Sequence, residues 1–112
     1  SEECALEDVA GVLEDESTRT ILAATSVEPL SASELADRVD ASKPTVYRRI
    51  ERLETCDLVE SRTRPDADGH HHQVYAATFD RLTVDLVDGE YAYDVERTEP
   101  MADTFTRLIE QI

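Results

Sequence analysis

Cysteine occurs twice in the 112 residues, glycine three times and lysine once. The two cysteines, Cys4 and Cys56, are too few for a disulfide framework or for a structural zinc site of their own, so a reducing cytoplasm is the expected compartment. So little glycine leaves no phosphate-cradling loop. No serine elbow or metal-binding helix motif is visible either, so an enzyme is not expected. No apolar run approaches the roughly 20 residues of a membrane span. No basic n-region or apolar h-region opens the chain, so neither secretion nor a membrane partner is expected. The chain begins on Ser1 and not on Met, which points to processing or to a chosen start.

What is present is acid. Asp and Glu number 26 against 11 Lys and Arg, for a formal net charge of -15. A hydrophobic content of 40% is too high for a disordered acidic tail, and the length suits one domain spanning 1–112. A dense carboxylate surface holds hydrated cations, and high salt screens its self-repulsion. An acidic chain with Lys43 as its only lysine is therefore expected to come from a halophile, with an acidic mesophilic protein as the alternative. The positive charge is concentrated. Between Arg38 and Arg64 there are seven basic and five acidic residues, a net of +2, while the rest of the chain carries -17. A face for an anionic partner, or an ordinary helix of mixed charge, would each give that segment.

Hydrophobic periodicity orders the chain. Leu6, Val9, Ala10 and Leu13 predict an amphipathic helix, and Ser17 is a cap for a second one that Pro29 ends. Ser31 or Ser33 caps a short helix with Leu35, Ala36 and Val39 inward. Ser42 caps the next, Pro44 sits in its first turn, and Val46, Ile50 and Leu53 form its apolar stripe. Asp57 follows, and Asp tolerates a left-handed backbone better than most residues. Strand-like alternation then predicts a hairpin over 58–79 with a polar tip. A second hairpin over 81–97 turns at Asp88-Gly89. Counting outward from that turn pairs Leu86 with Tyr91, Val84 with Tyr93 and Leu82 with Val95, all on a face expected to be buried. A last helix over 99–112 carries Met101, Phe105, Leu108, Ile109 and Ile112 in one stripe.

Two short helices joined by a tight turn, the second rich in exposed Arg, Ser and Thr, read as a helix-turn-helix over 31–56, with the 58–79 hairpin as its wing. The run Ser42-Lys43-Pro44-Thr45-Val46-Tyr47-Arg48-Arg49-Ile50, followed by Leu53 and Leu58-Val59, resembles the winged helix-turn-helix of transcription regulators, most closely the ArsR-like and related archaeal ones. That resemblance implies a winged-helix fold, and with the second hairpin and the terminal stripe the expected class is α+β, a winged helix with an added β-hairpin and a C-terminal amphipathic dimerisation helix. The resemblance implies a transcription regulator that binds double-stranded DNA in a sequence-specific manner, with the recognition helix 42–56 in the major groove, and the regulator is expected to act as a homodimer. The chemistry of the exposed face agrees. Lys43 with Arg48 or Arg49 suits guanine O6 and N7, Thr45 a thymine methyl, and Ser42 and Arg52 phosphates. Pro44 and Tyr47 share that surface, Tyr47 against sugar–phosphate or the wing. Arg62 and Arg64 alternate along the wing, toward a flanking phosphate or toward solvent.

The apolar stripes at the two ends, Leu6, Val9 and Leu13 with Met101, Phe105, Leu108, Ile109 and Ile112, are more than a winged-helix core covers, which predicts a dimer interface. The His70-His71-His72 run with Asp66 and Asp68 invites a metal. However, consecutive strand residues face opposite ways, and the Cys-x-Cys or spaced Asp/His sets of ArsR-type metal sensors are missing. No metal and no cofactor is expected, and the histidines are left to DNA or solvent. Two alternatives stay open: a winged-helix protein–protein adaptor of the transcription machinery, and an effector- or metal-sensing regulator. The operator, any small-molecule effector, and repression versus activation are not encoded legibly.

Overall fold

The computed structural model describes residues 4–98. The chain divides between Ala77 and Thr78 into two compact units. The first contains α1 (Leu6–Glu14), α2 (Glu16–Val27), β1 (Leu30–Ser31), α3 (Ala32–Val39), α4 (Lys43–Thr55), β2 (Val59–Pro65) and β3 (His71–Ala77). The second contains β4 (Phe79–Val87) and β5 (Glu90–Arg97). The α+β class is as the sequence predicts. The C-terminal helix expected over 99–112, with Met101, Phe105, Leu108, Ile109 and Ile112, lies outside the described residues.

Side-chain caps set the helix starts. Asp8 accepts from the Ala5 amide at 3.0 Å as α1 begins. The cap of α2 is Asp15 and not Ser17: its carboxylate accepts from the Thr18 amide at 2.9 Å and the Thr18 hydroxyl at 2.7 Å. An ionised carboxylate facing unpaired amide donors makes a stronger cap than a hydroxyl two residues further in. α3 starts on a reciprocal pair, in which Ser31 accepts from the Glu34 amide and Glu34 accepts from the Ser31 amide. α4 starts on Ser42, with Pro44 in its first turn. Two aspartates take the left-handed region where helices end. Asp40 follows α3 with φ 54°. Asp57 follows α4 with φ 57°, while the Leu58 amide donates back to the Leu53 carbonyl at 2.8 Å.

The core of the first unit joins Ile21 and Leu22 of α2, Leu35 of α3, and Val46, Ile50 and Leu53 of α4 to Leu58, Val74 and Tyr75, all buried. Val9 and Val12 of α1 are buried with them. The sheet has the order β1-β3-β2, with both pairings antiparallel. As the central strand, β3 buries three consecutive residues, Val74 to Ala76. β1 is only two residues long and pairs Leu30 with Tyr75, tying the start of α3 to the wing.

Two cysteines make no framework, but here they make one bond, which a reducing compartment does not lead one to expect: Cys4 and Cys56 form a disulfide with Cα atoms 5.4 Å apart. The bridge joins the residue ahead of the α1 cap to the residue that closes α4. Cys56 is buried, as a small apolar residue would be, but it is covalently tied.

In the second unit the register counted from Asp88-Gly89 holds, with Leu86 opposite Tyr91, Val84 opposite Tyr93 and Leu82 opposite Val95. Asp88 and Gly89 both take positive φ, 52° and 83°, as a two-residue turn of this hand requires. The expected burial of that face does not hold. Val84, Leu86, Tyr91 and Tyr93 are all exposed, Tyr91 by 68%. Among the described residues the second unit consists of these two strands, which by themselves form a single layer.

Candidate nucleic-acid interface

α4 presents one face to the core and the other to solvent. Val46, Ile50 and Leu53 are buried, whereas Ser42, Lys43, Pro44, Tyr47, Arg48 and Arg52 are exposed and Thr45 half-buried. The exposed side is ordered by its own short bonds. The Ser42 hydroxyl accepts from the Thr45 amide at 3.3 Å and donates to the Thr45 hydroxyl at 3.0 Å. Thr45 in turn accepts from Arg48 Nη2 at 3.1 Å. Arg48 is thereby laid along the first turns of the helix with no carboxylate partner among the described residues. Lys43 likewise has no ion-pair partner among them.

The first turn of α4 contains no acidic residue, whereas α1, α2 and α3 each carry Glu or Asp there. In a chain of net charge -15, that end of one helix has been kept clear of carboxylates. The positive end of the helix dipole and Lys43 together favour an anion at that point.

Arg49 behaves differently from its neighbour. Its Nε donates to Asp15 Oδ2 at 3.0 Å, and both side chains are about two-thirds shielded. Asp15 has its carboxyl held below the usual aspartate range, first by the Thr18 hydroxyl and amide and then by the Arg49 guanidinium. The spacing contains the signal for this. Val46, Arg49, Ile50 and Leu53 fall at i, i+3, i+4 and i+7, so Arg49 flanks the buried stripe while Arg48 does not. Arg52 reaches toward α1, where a Cβ added at Gly11 would meet its Nη2 at 3.6 Å.

On the wing, Arg62 Nε donates to Glu60 at 3.0 Å, and Arg64 Nη2 donates across to Glu34 of α3 at 3.3 Å. Glu34 is held below the ordinary glutamate range, mainly by the Ser31 amide and with a contribution from Arg64. The wing is thus tied to the start of α3 through a side chain expected to face an anion. His72 Nε2 lies 3.0 Å from Asp66 Oδ2 at the wing tip. Among the described residues, no group of three or more His, Cys, Asp or Glu is placed to hold a metal. Nor is any described helix long and apolar enough to cross a membrane.

Of the residues expected at a dimer interface, Val9 is 1% exposed and faces its own core. Leu6 and Leu13 are half-buried.

Solved structures share this architecture. One, an ArsR-like transcriptional regulator from Rhodococcus sp. RHA1, superposes with a TM-score of 0.53 at 30% identity over 64% of this chain. The match spans 62% of that protein, less than two thirds of its length. Another, NolR from Sinorhizobium fredii, gives a TM-score of 0.52 at 19% identity over 69% of this chain and 81% of its own, a likeness of fold. No curated protein sequence matches the chain. A family model does match, over residues 6–88, which takes in all four described helices, the wing and the start of the second hairpin. The chain belongs to the family of the HVO_A0261 N-terminal domain.

Proposed function

We propose that the protein is a transcription regulator that binds double-stranded DNA in a sequence-specific manner, with α4 entering the major groove. The observation that carries this reading is the exposed start of α4. There Ser42, Lys43, Thr45 and Arg48 lie together on an end free of acid, inside a chain that is acidic almost everywhere else. The ArsR-like neighbour, described as a transcriptional regulator, supports it. Arg48 and Lys43 are the base-reading residues, Thr45 lies within reach of a thymine methyl, and Ser42 and Arg52 contact phosphates. Pro44 and Tyr47 complete the surface. Arg49, Arg62 and Arg64 contribute to DNA only if they exchange their carboxylates for phosphate.

The protein acts as a homodimer, with recognition helices about one DNA turn apart, roughly 34 Å. The stripe from Met101 to Ile112 supplies most of its interface, since Val9 is taken by its own core. The acidic surface fits a salt-rich cytoplasm of the halophilic kind.

The test is selection from genomic DNA followed by gel shift across salt. Acidic residues away from α4 hold cations and repel DNA at low salt, so binding should persist in molar KCl with a shallow or inverted salt dependence. No enriched sequence under those conditions would replace this reading with a protein–protein adaptor.

A further inference from the structure

We propose that Cys4 and Cys56 are a reversible dithiol–disulfide site, reduced by a dithiol, and that its state sets DNA affinity by fixing α1 against the C-terminal end of α4. The second half of the proposal rests on the DNA reading above.

The bond is not sealed in the core. It forms part of the wall of a surface pocket of ≈ 280 Å³ shared with Glu7 and Asp8 of α1 and Arg52 and Thr55 of α4. Cys56 is 4% exposed, while Cys4 is only half-buried and is the sulfur an incoming thiolate reaches. The first thiolate of the reductant attacks Cys4 Sγ. The Cys4–Cys56 bond breaks and Cys56 leaves as a thiolate. The second thiol of the reductant, deprotonated, then attacks the mixed disulfide and releases Cys4. Two electrons and two protons pass from the reductant, which ends as a disulfide, to the protein, which ends as two thiols.

The residues around the bond suit that exchange. The carbonyl end of α4 disfavours a thiolate on Cys56, and the Arg52 guanidinium in the same pocket offsets it. Glu7 and Asp8 repel a reductant more strongly the more negative charge it carries, which favours a dithiol with no charge besides its attacking thiolate over a monothiol with further carboxylates. A protein that works on DNA sits where thiol systems keep cysteines reduced, and disulfides in such compartments are mostly transient.

The bond also has something to hold. It fastens the entry to α1 at one end of the helix that carries Lys43 and Arg48 at the other. Once it is broken, α1 is retained by Val9, Val12 and its junction with α2. Arg52, which reaches toward Gly11, loses its fixed wall. The reduced chain therefore holds α1 loosely and binds DNA several-fold more weakly.

The experiment uses the full chain and dithiothreitol. Alkylation followed by mass spectrometry should find no reactive thiol in the oxidised protein and two after reduction, and oxidised dithiothreitol should restore the first pattern. Amide hydrogen exchange over 6–14 should rise on reduction, and rise equally in Cys4→Ser without reductant. Gel shift should show the oxidised protein as the tighter binder. Two free thiols before any reductant, a bond that resists millimolar dithiothreitol in the folded protein, or unchanged exchange in α1 would overturn the proposal. So would equal DNA affinity in the two states. No DNA binding in either state would defeat the functional reading instead, while alkylation and exchange still decide the redox site.

Discussion

Replacing Arg48 and Arg49 one at a time separates two roles that adjacent identical residues conceal. Arg48 is exposed, bonded among the described residues only to the Thr45 hydroxyl at 3.1 Å, a contact it can give up for a base. Arg48→Ala should remove a bidentate contact and about 1–3 kcal/mol of discrimination between the preferred site and a single-base variant, leaving the fold intact. Arg49 is committed to Asp15 at 3.0 Å, with side chains 29% and 33% exposed. Exposed pairs are worth about 0.2–1 kcal/mol, and this one, partly shielded and linking α4 to the start of α2, belongs near the top of that range. Arg49→Ala should therefore lower the thermal midpoint by a few degrees and leave base preference unchanged. A double-mutant cycle with Asp15→Ala measures the pair directly, by urea denaturation of the four proteins. Gel shifts with preferred and mismatched duplexes measure selectivity. Equal loss of selectivity in the two Arg variants, together with no coupling between Arg49 and Asp15, would refute the division of roles.

Ser42→Ala removes the α4 cap and the hydroxyl that positions Thr45, and should cost about 1 kcal/mol in urea unfolding with weaker DNA binding at every sequence. Asp15 has a carboxyl lowered from 3.8 and Glu34 one lowered from 4.5, so each stabilises the fold above its unfolded value and loses that contribution as pH falls through the folded one. The stability gap between parent and Asp15→Asn should therefore be full at pH 7 and narrow below about pH 4; a gap unchanged at pH 3 would contradict the assignment. Leu108→Glu with Ile112→Glu should give a monomer, or an unstable protein, that binds DNA much more weakly; light scattering at molar salt checks this, and a monomeric parent at micromolar concentration would refute dimerisation through that stripe.

Where one residue decides a local structure, the sequence could be read ahead of the fold. Ser42, Pro44 and the stripe of Val46, Ile50 and Leu53 place α4 without any tertiary information, because cap, ring and period act within one helix. Asp88-Gly89 fixes the register of β4 and β5 down to Leu82 opposite Val95, because a two-residue turn leaves no slack. Apart from the local choice of the α2 cap, what the sequence does not show depends on what meets across the fold. Ser17 and Asp15 are both caps by type, and only the geometry of the Thr18 amide chooses Asp15. β1 has two residues and no periodicity to detect; it exists because β3 lies beside it. The disulfide joins cysteines 52 positions apart, and a pair with no repeat or motif around it gives no distance. Alternation shows that the Leu86 and Tyr91 face is apolar but not that anything covers it.

The carboxylates of this chain do more than keep it charged. Asp15 takes Arg49, Glu34 takes Arg64 and Glu60 takes Arg62, so three of the arginines in the basic segment are used in tying α4 to α2, the wing to α3, and the wing to itself. Such bonds fix the positions of helix and wing before any ligand arrives, which lowers the ordering cost of a later encounter. They also lower the charge available for non-specific attraction, leaving Lys43, Arg48 and Arg52 as the cations of α4 without an ion pair among the described residues. A surface reduced to three such cations on one helix gives weak attraction to an arbitrary polyanion. On the proposed DNA reading, affinity then rests on base contacts by Lys43 and Arg48, and discrimination on withholding charge as much as on presenting it.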